Sequence, residues 1–146
     1  MVSLQKIGIK GSPLVILSLV NSYCLPVLLY EIETISASTT MRNYLNNAFR
    51  TVFAKLFNSF DNNVIANCQY FCGVLPLSYI IDNRSIEFFK RLTNSSNELI
   101  KLHFIRSGGK QLEQLLKCYK LPVTATSNMF NLKSALWTHF ANAVDM

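Results

Sequence analysis

The cleanest hydrophobic period in the chain runs from Met41 to Phe60. Met41, Leu45, Ala48, Phe49, Val52, Phe53, Leu56, Phe57 and Phe60 recur at helical spacing, while Arg42, Asn46, Asn47, Arg50 and Lys55 lie off that stripe. The pattern predicts an amphipathic helix of about five turns, with the Ser/Thr cluster from Ser36 to Thr40 supplying a loop and an N-cap. Upstream, Ser12 is placed as an N-cap and Pro13 as the first helical residue, where a missing N–H costs nothing. That helix should run towards Glu33 and be kinked or split at Leu25 by Pro26. It is apolar almost all round, which predicts a helix buried on most sides.

Past Phe60, Asp61-Asn62-Asn63 breaks one helix and caps another. Val64, Ile65, Cys68, Phe71 and Cys72 form the expected inner face, and Gly73 closes it. Pro76 opens a fourth helix with Leu77, Ile80, Ile81, Phe88 and Leu92 inward and Arg84, Lys90 and Arg91 outward. Ser95 to Glu98 has capping-box spacing ahead of Leu99, Ile100 and Phe104, and Gly108-Gly109 is expected to end that helix. A short helix carries Leu112, Leu115 and Leu116 up to Leu121-Pro122, and a last one runs from Met129 to Val144 with Phe130, Leu136, Trp137 and Phe140. No run alternates as a half-buried strand does. The expected fold is all-α, an irregular multi-helix bundle of about six to seven helices.

Composition sharpens this. Half of the 146 residues are hydrophobic and 15% are charged, against roughly a quarter charged in ordinary globular domains. Such a surplus fits a buried bundle, a membrane segment, or a piece of a larger protein whose apolar face once packed elsewhere. Fourteen Lys and Arg against eight Asp and Glu leave a net +6, spread along the chain instead of forming a tail. That favours anionic partners, nucleic acid or an acidic membrane surface. Residues 13–30 carry no charge and touch the lower limit for a membrane span. Asn21, Ser22 and Pro26 near their middle favour a buried core helix instead. No small-x-small cleavage site follows the apolar run.

The chemistry-bearing residues exclude more than they indicate. The carboxylates Glu31, Glu33, Asp61, Asp82, Glu87, Glu98, Glu113 and Asp145 include no adjacent pair of the kind that two-metal phosphoryl transfer requires. Glu31 and Glu33 would point about 200° apart on a helix. Gly8 and Gly11 are followed by no Lys-Ser/Thr, and no Ser sits in a nucleophile elbow. Cys24, Cys68, Cys72 and Cys118 are read as core thiols in preference to a metal site, since no Cys-x-x-Cys is present and His103 and His139 stand alone. A dyad of Cys118 with His103 or His139 stays open as the minor alternative. No cofactor is indicated, and the chain by itself is not expected to be an enzyme.

Residues 19–33 (LVNSYCLPVLLYEIE) resemble the segment that follows the palm in non-LTR (LINE-type) retrotransposon reverse transcriptases, where a pattern close to Leu-Val-x-Ser-Tyr-Cys-Leu-Pro-x-Leu-Leu-Tyr-Gly-x-Glu recurs. Residues 43–49 (NYLNNAF) with 53–57 (FAKLF), then 67–73 (NCQYFCG), Leu75-Pro76 and 81–89 (IDNRSIEFF), are similar to later segments of that family in the same order. The likeness covers roughly residues 5 to 102. Glu31 departs from the family's usual Gly, and the aromatic-Ala-Asp-Asp palm motif is absent from the chain.

The resemblance implies the end of the palm region plus a thumb and its extension: residues 1–105 thumb-like, and 106–146 a C-terminal helical extension, in the same compact unit or loosely attached. A thumb grips the template–primer duplex by its backbone while the palm does the chemistry. The implied contacts are Arg42, Arg50, Lys55, Arg84, Lys90 and Arg91, and a missing palm would pack on the apolar first helix. A nuclear or cytoplasmic location would follow from a retroelement origin. A decayed reading frame of such an element is the same reading without selected function. The alternatives are a small helical membrane-associated protein anchored through residues 13–30 and a generic helical interaction module.

Overall fold

The computed structural model describes residues 12–30, 32–34, 38–121 and 129–144, excepting the side chains of 107 and 129–131. Every regular element among them is helical, and the fold is all-α. The chain forms two compact units, Met1–Glu31 and Ile32–Met146.

In the first unit, α1 (Pro13–Leu19) begins at Pro13 behind the N-cap Ser12, although the Ser12 side chain caps nothing. A π-helical turn (Val20–Cys24) links it to α2 (Leu25–Leu28). The widened turn lies just ahead of Pro26, whose ring would otherwise meet the carbonyl four residues back. The helix stops at Leu28 and does not continue to Glu33. Nor is it buried on most sides: Ile16, Leu17, Val20, Leu25 and Leu29 are buried, whereas Leu14, Val15, Tyr23, Val27 and Tyr30 are exposed. Hydropathy alone does not separate a side chain packed in its own fold from one left facing outward.

The second unit opens with α3 (Thr39–Phe57), for which the Ser38 hydroxyl accepts the Met41 N–H. Phe49, Phe53 and Ala54 are buried as the periodicity requires, while Met41 and Phe60 at the ends of the stripe are exposed. Along this face the Phe49 and Phe53 rings meet edge-to-face at 5.5 Å between centroids, and Phe53 stacks on Phe57 at 6.3 Å. Asp61 caps α4 (Asn62–Phe71) by accepting from the Asn63 and Val64 N–H groups. On α4, Ile65 and Gln69 are buried, but Phe71, expected inside, is 77% exposed. Gly73 takes φ +68°, so Val74 N–H closes back on the Gln69 carbonyl at 2.9 Å. Asn58 and Lys120 adopt the same left-handed conformation, and Ser59 and Leu121 close the same ring.

α5 (Leu77–Thr93) is the centre post. It packs against α3, α6 (Glu98–His103), the π turn Phe104–Gly108, α7 (Gly109–Cys118) and α8 (Met129–Ala143). Leu77, Ile81, Ser85, Ile86 and Phe89 are its buried residues. Ile86 meets Leu132 and Leu136 of α8 in a core that Leu112, Leu115 and Tyr119 complete. The cap of α6 is Asn97, whose side chain accepts from Leu99 and Ile100 N–H; the Ser95 hydroxyl instead accepts the Asn97 N–H. Leu99 lies on the outer side. Gly108-Gly109 does not end this helix: α6, the π turn and α7 follow one another without a break, from Glu98 to Cys118. A Cβ at Gly108 would lie 2.6 Å from the Phe104 ring and 3.2 Å from Phe89. Glycine is there for close packing, with both rings pressed on its backbone.

Candidate nucleic-acid interface

The six cations that the resemblance singles out sit on α3 and α5, and they do not share one state. Arg42 Nη1 donates to Asp82 Oδ1 at 2.5 Å, with the guanidinium side chain about a third exposed and the carboxylate nearly buried. Arg42 is thereby committed to holding α3 on α5. Arg50 donates to the Asn62 side-chain oxygen across the α3–α4 corner. Arg84 and Lys90 are half-buried. Lys55 and Arg91 are exposed, and the Arg91 Nε also reaches the Glu87 carbonyl at 3.4 Å.

Asp82 does more than balance Arg42. Its second oxygen accepts the Tyr119 hydroxyl at 2.6 Å, so one carboxylate ties α3, α5 and the end of α7. The Tyr119 ring lies 5.1 Å from His139 edge-to-face, and the Tyr79 hydroxyl is 2.9 Å from His139 Nδ1. Burial pushes the Tyr119 hydroxyl well above the ordinary phenol range, and its hydrogen bond to the Asp82 carboxylate pushes it further. Tyr79 is raised by burial first and by the Asp82 charge second. Both phenols are thereby held in their neutral form within a hydrogen-bonded clasp.

Exposed positive charge lies mostly further along the chain than the predicted contacts. Lys90, Arg91, Lys101, Arg106, Lys110, Lys117 and Lys120 face only Glu98 and Glu113 between residues 90 and 120, which accounts for five of the six excess charges. All but Lys90 are exposed. Lys117 pairs with Glu113 at 2.8 Å one turn away, and that hydrogen bond, then the Lys117 charge, lowers the Glu113 carboxyl. An exposed pair of this kind holds little energy and leaves the lysine able to turn to another anion. Counting charge per segment, and not only off the apolar stripes of the matched helices, finds this concentration in the sequence.

The thiols divide. Cys68 on α4 and Cys72 at its C-cap are half-buried one turn apart, and burial, then the neighbouring Cys68, raises the Cys72 thiol. Cys24 and Cys118 are exposed and are not core thiols. His103 and Cys118 line one open cavity of about 760 Å³ between α5, α6 and α7, together with Arg42, Ser85 and Phe104; His139 lies elsewhere, against Tyr79 and Tyr119. Among the described residues, no group of three His, Cys, Asp or Glu is placed to hold a metal ion. No helix among them is long and apolar enough to cross a membrane. Glu31, Pro122 and the glycines at 8 and 11 lie outside the described residues. No protein-family model, characterised protein or solved structure matches the chain.

Proposed function

We propose that the chain is a non-catalytic, thumb-like piece of a retrotransposon-type reverse transcriptase that grips a template–primer duplex by its sugar–phosphate backbone. The observation that carries this is the exposed positive charge on packed helices: Lys55 and Arg91 on the α3–α5 frame, continued by Lys110 and Lys120 beyond it. Cations held on a rigid frame contact phosphates at a smaller entropic cost than cations on a disordered tail, and the contact reads no sequence. The ordered likeness of residues 5 to 102 to the family supplies the identity of the anion. The outward Leu14, Val15, Tyr23 and Val27 of the first unit are what a surface that packs on a missing palm would present. Polymerisation is assigned to that palm, and no cofactor to this chain.

Arg42 and Arg50 have partners within the fold, so Lys55 and Arg91 are the residues to test. Fluorescence anisotropy on a primed RNA template should show affinity falling steeply with salt, with little dependence on sequence, because released counterions drive association. Lys55→Ala and Arg91→Ala should each flatten the log–log salt slope by about one. A flat slope in the parent chain, or unchanged slopes in both variants, overturns the proposal.

A further inference from the structure

The outer side of α6 carries a feature that backbone gripping does not use. Leu99, Leu102 and Ile105 are 76, 49 and 72% exposed, at spacings of three residues along the start of the Glu98–Cys118 rod. Lys101 and Arg106 are exposed among them, and Lys110 follows. The opposite side of the rod is fixed: Phe104 is buried, its ring 5.8 Å from Phe89 of α5, and Gly108 is pressed beneath both. The aliphatic side chains are therefore presented outward by a helix that cannot roll over to bury them.

We propose that this face docks on the surface of an anionic lipid bilayer, with Leu99, Leu102 and Ile105 entering the headgroup–acyl boundary and Lys101 and Arg106 meeting lipid phosphates and carboxylates. Three arguments select that occupant. Aliphatic side chains gain nothing from a sugar–phosphate backbone, and single-stranded nucleic acid is held by aromatic platforms, which this face lacks. A second copy of the chain would set like charge against like charge, since residues 90–120 carry most of the net charge. Outward aliphatics interleaved with Lys and Arg are the composition of an interfacial helix, which lies in the membrane plane and does not span it. The docking is independent of the duplex grip proposed above.

The test is co-sedimentation of the full chain with phosphatidylcholine vesicles, with and without phosphatidylserine, beside duplex binding by anisotropy. Binding is expected only to the phosphatidylserine vesicles. The triple variant Leu99→Ser, Leu102→Ser, Ile105→Ser should lose at least about tenfold in vesicle affinity and keep its duplex affinity. Its circular dichroism should be unchanged, because all three side chains are exposed. Lys101→Gln with Arg106→Gln should cost about fivefold per cation removed. The proposal falls if the parent chain binds neither vesicle, if phosphatidylserine makes no difference, or if the triple variant binds vesicles as the parent does. An equal loss of duplex affinity in the triple variant would place nucleic acid on this face and overturn it as well. Failure of the duplex grip shows in the salt slopes of Lys55→Ala and Arg91→Ala and leaves these outcomes untouched.

Discussion

Replacing Asp82 by Ala should be among the most damaging single changes outside the apolar core. The carboxylate receives Arg42 Nη1 at 2.5 Å and the Tyr119 hydroxyl at 2.6 Å, and its side chain is 13% exposed. Each hydrogen bond to a charged group contributes about 1.5–3 kcal/mol. The Arg42 share belongs at the lower end, because its guanidinium is 32% exposed and water can replace part of what it loses. The Tyr119 hydroxyl is more enclosed, and without its acceptor it keeps most of its desolvation cost. Together these give a loss of about 2–4 kcal/mol, or about 5–15 °C in Tm for a chain of this length. Asp82→Asn keeps the shape and one acceptor and should lose about half as much. Urea unfolding of Asp82→Ala, Tyr119→Phe and the double variant checks the reasoning, with a coupling of about 1 kcal/mol expected between the two sites. A loss below about 1 kcal/mol for Asp82→Ala, or strict additivity in the cycle, would refute the clasp.

The two adjacent glycines should respond oppositely. Gly108→Ala puts a methyl 2.6 Å from the Phe104 ring and 3.2 Å from Phe89, and should cost about 1–3 kcal/mol by overpacking. Gly109→Ala meets only the Phe104 carbonyl at 3.8 Å, and should gain up to about 1 kcal/mol in helix propensity; thermal melts of both decide it. The raised Tyr119 hydroxyl favours its neutral form in the fold, so that stabilisation is fully present below the ordinary phenol pKa of about 10 and is lost as pH rises above it. Stability measured from neutral to alkaline pH should therefore fall less steeply in Tyr119→Phe than in the parent. Purified chain should incorporate no nucleotide on a primed template with Mg²⁺ or Mn²⁺, as the sequence holds no adjacent carboxylate pair for two metals; incorporation above background would refute this.

Elements whose signals are local were legible in the sequence. The Phe49–Phe53–Phe57 spacing, the Asp61 cap and Gly73 each act within one helix and its ends, and each appears where its chemistry puts it. Misplacements arise where a distant partner decides. Gly108-Gly109 has the composition of a helix stop, and the Phe89 ring from another helix is part of what turns it into a packing site. The spacing of Phe71 from Cys68 predicts an inward ring, yet Gln69, two residues away and so about 200° around the helix, is the buried one. Asp82 gave no local sign of its role: its partners lie 40 and 37 residues away.

The same distinction governs how the candidate site divides. The six cations lie off the apolar stripes, a pattern that marks the outer side of a helix but not whether another helix covers it. α5 touches most of the second unit, so polar residues on its flanks meet neighbours, and Asp82 takes Arg42 while Arg84 and Lys90 become half-buried. The Glu98–Cys118 rod sits at the margin, with Phe104, Gly108 and Leu116 buried, so its cations remain outward. A charged side chain near the centre post is drawn into holding the fold, because leaving it unpaired there costs more than the pair returns. A cation on the margin carries no such obligation and stays available to a polyanion. The exposure of each position after packing, more than its place off the apolar stripe, therefore decides which cations are free to act, and it directs mutagenesis to the exposed Lys55 on α3 and Arg91 at the end of α5 ahead of Arg42.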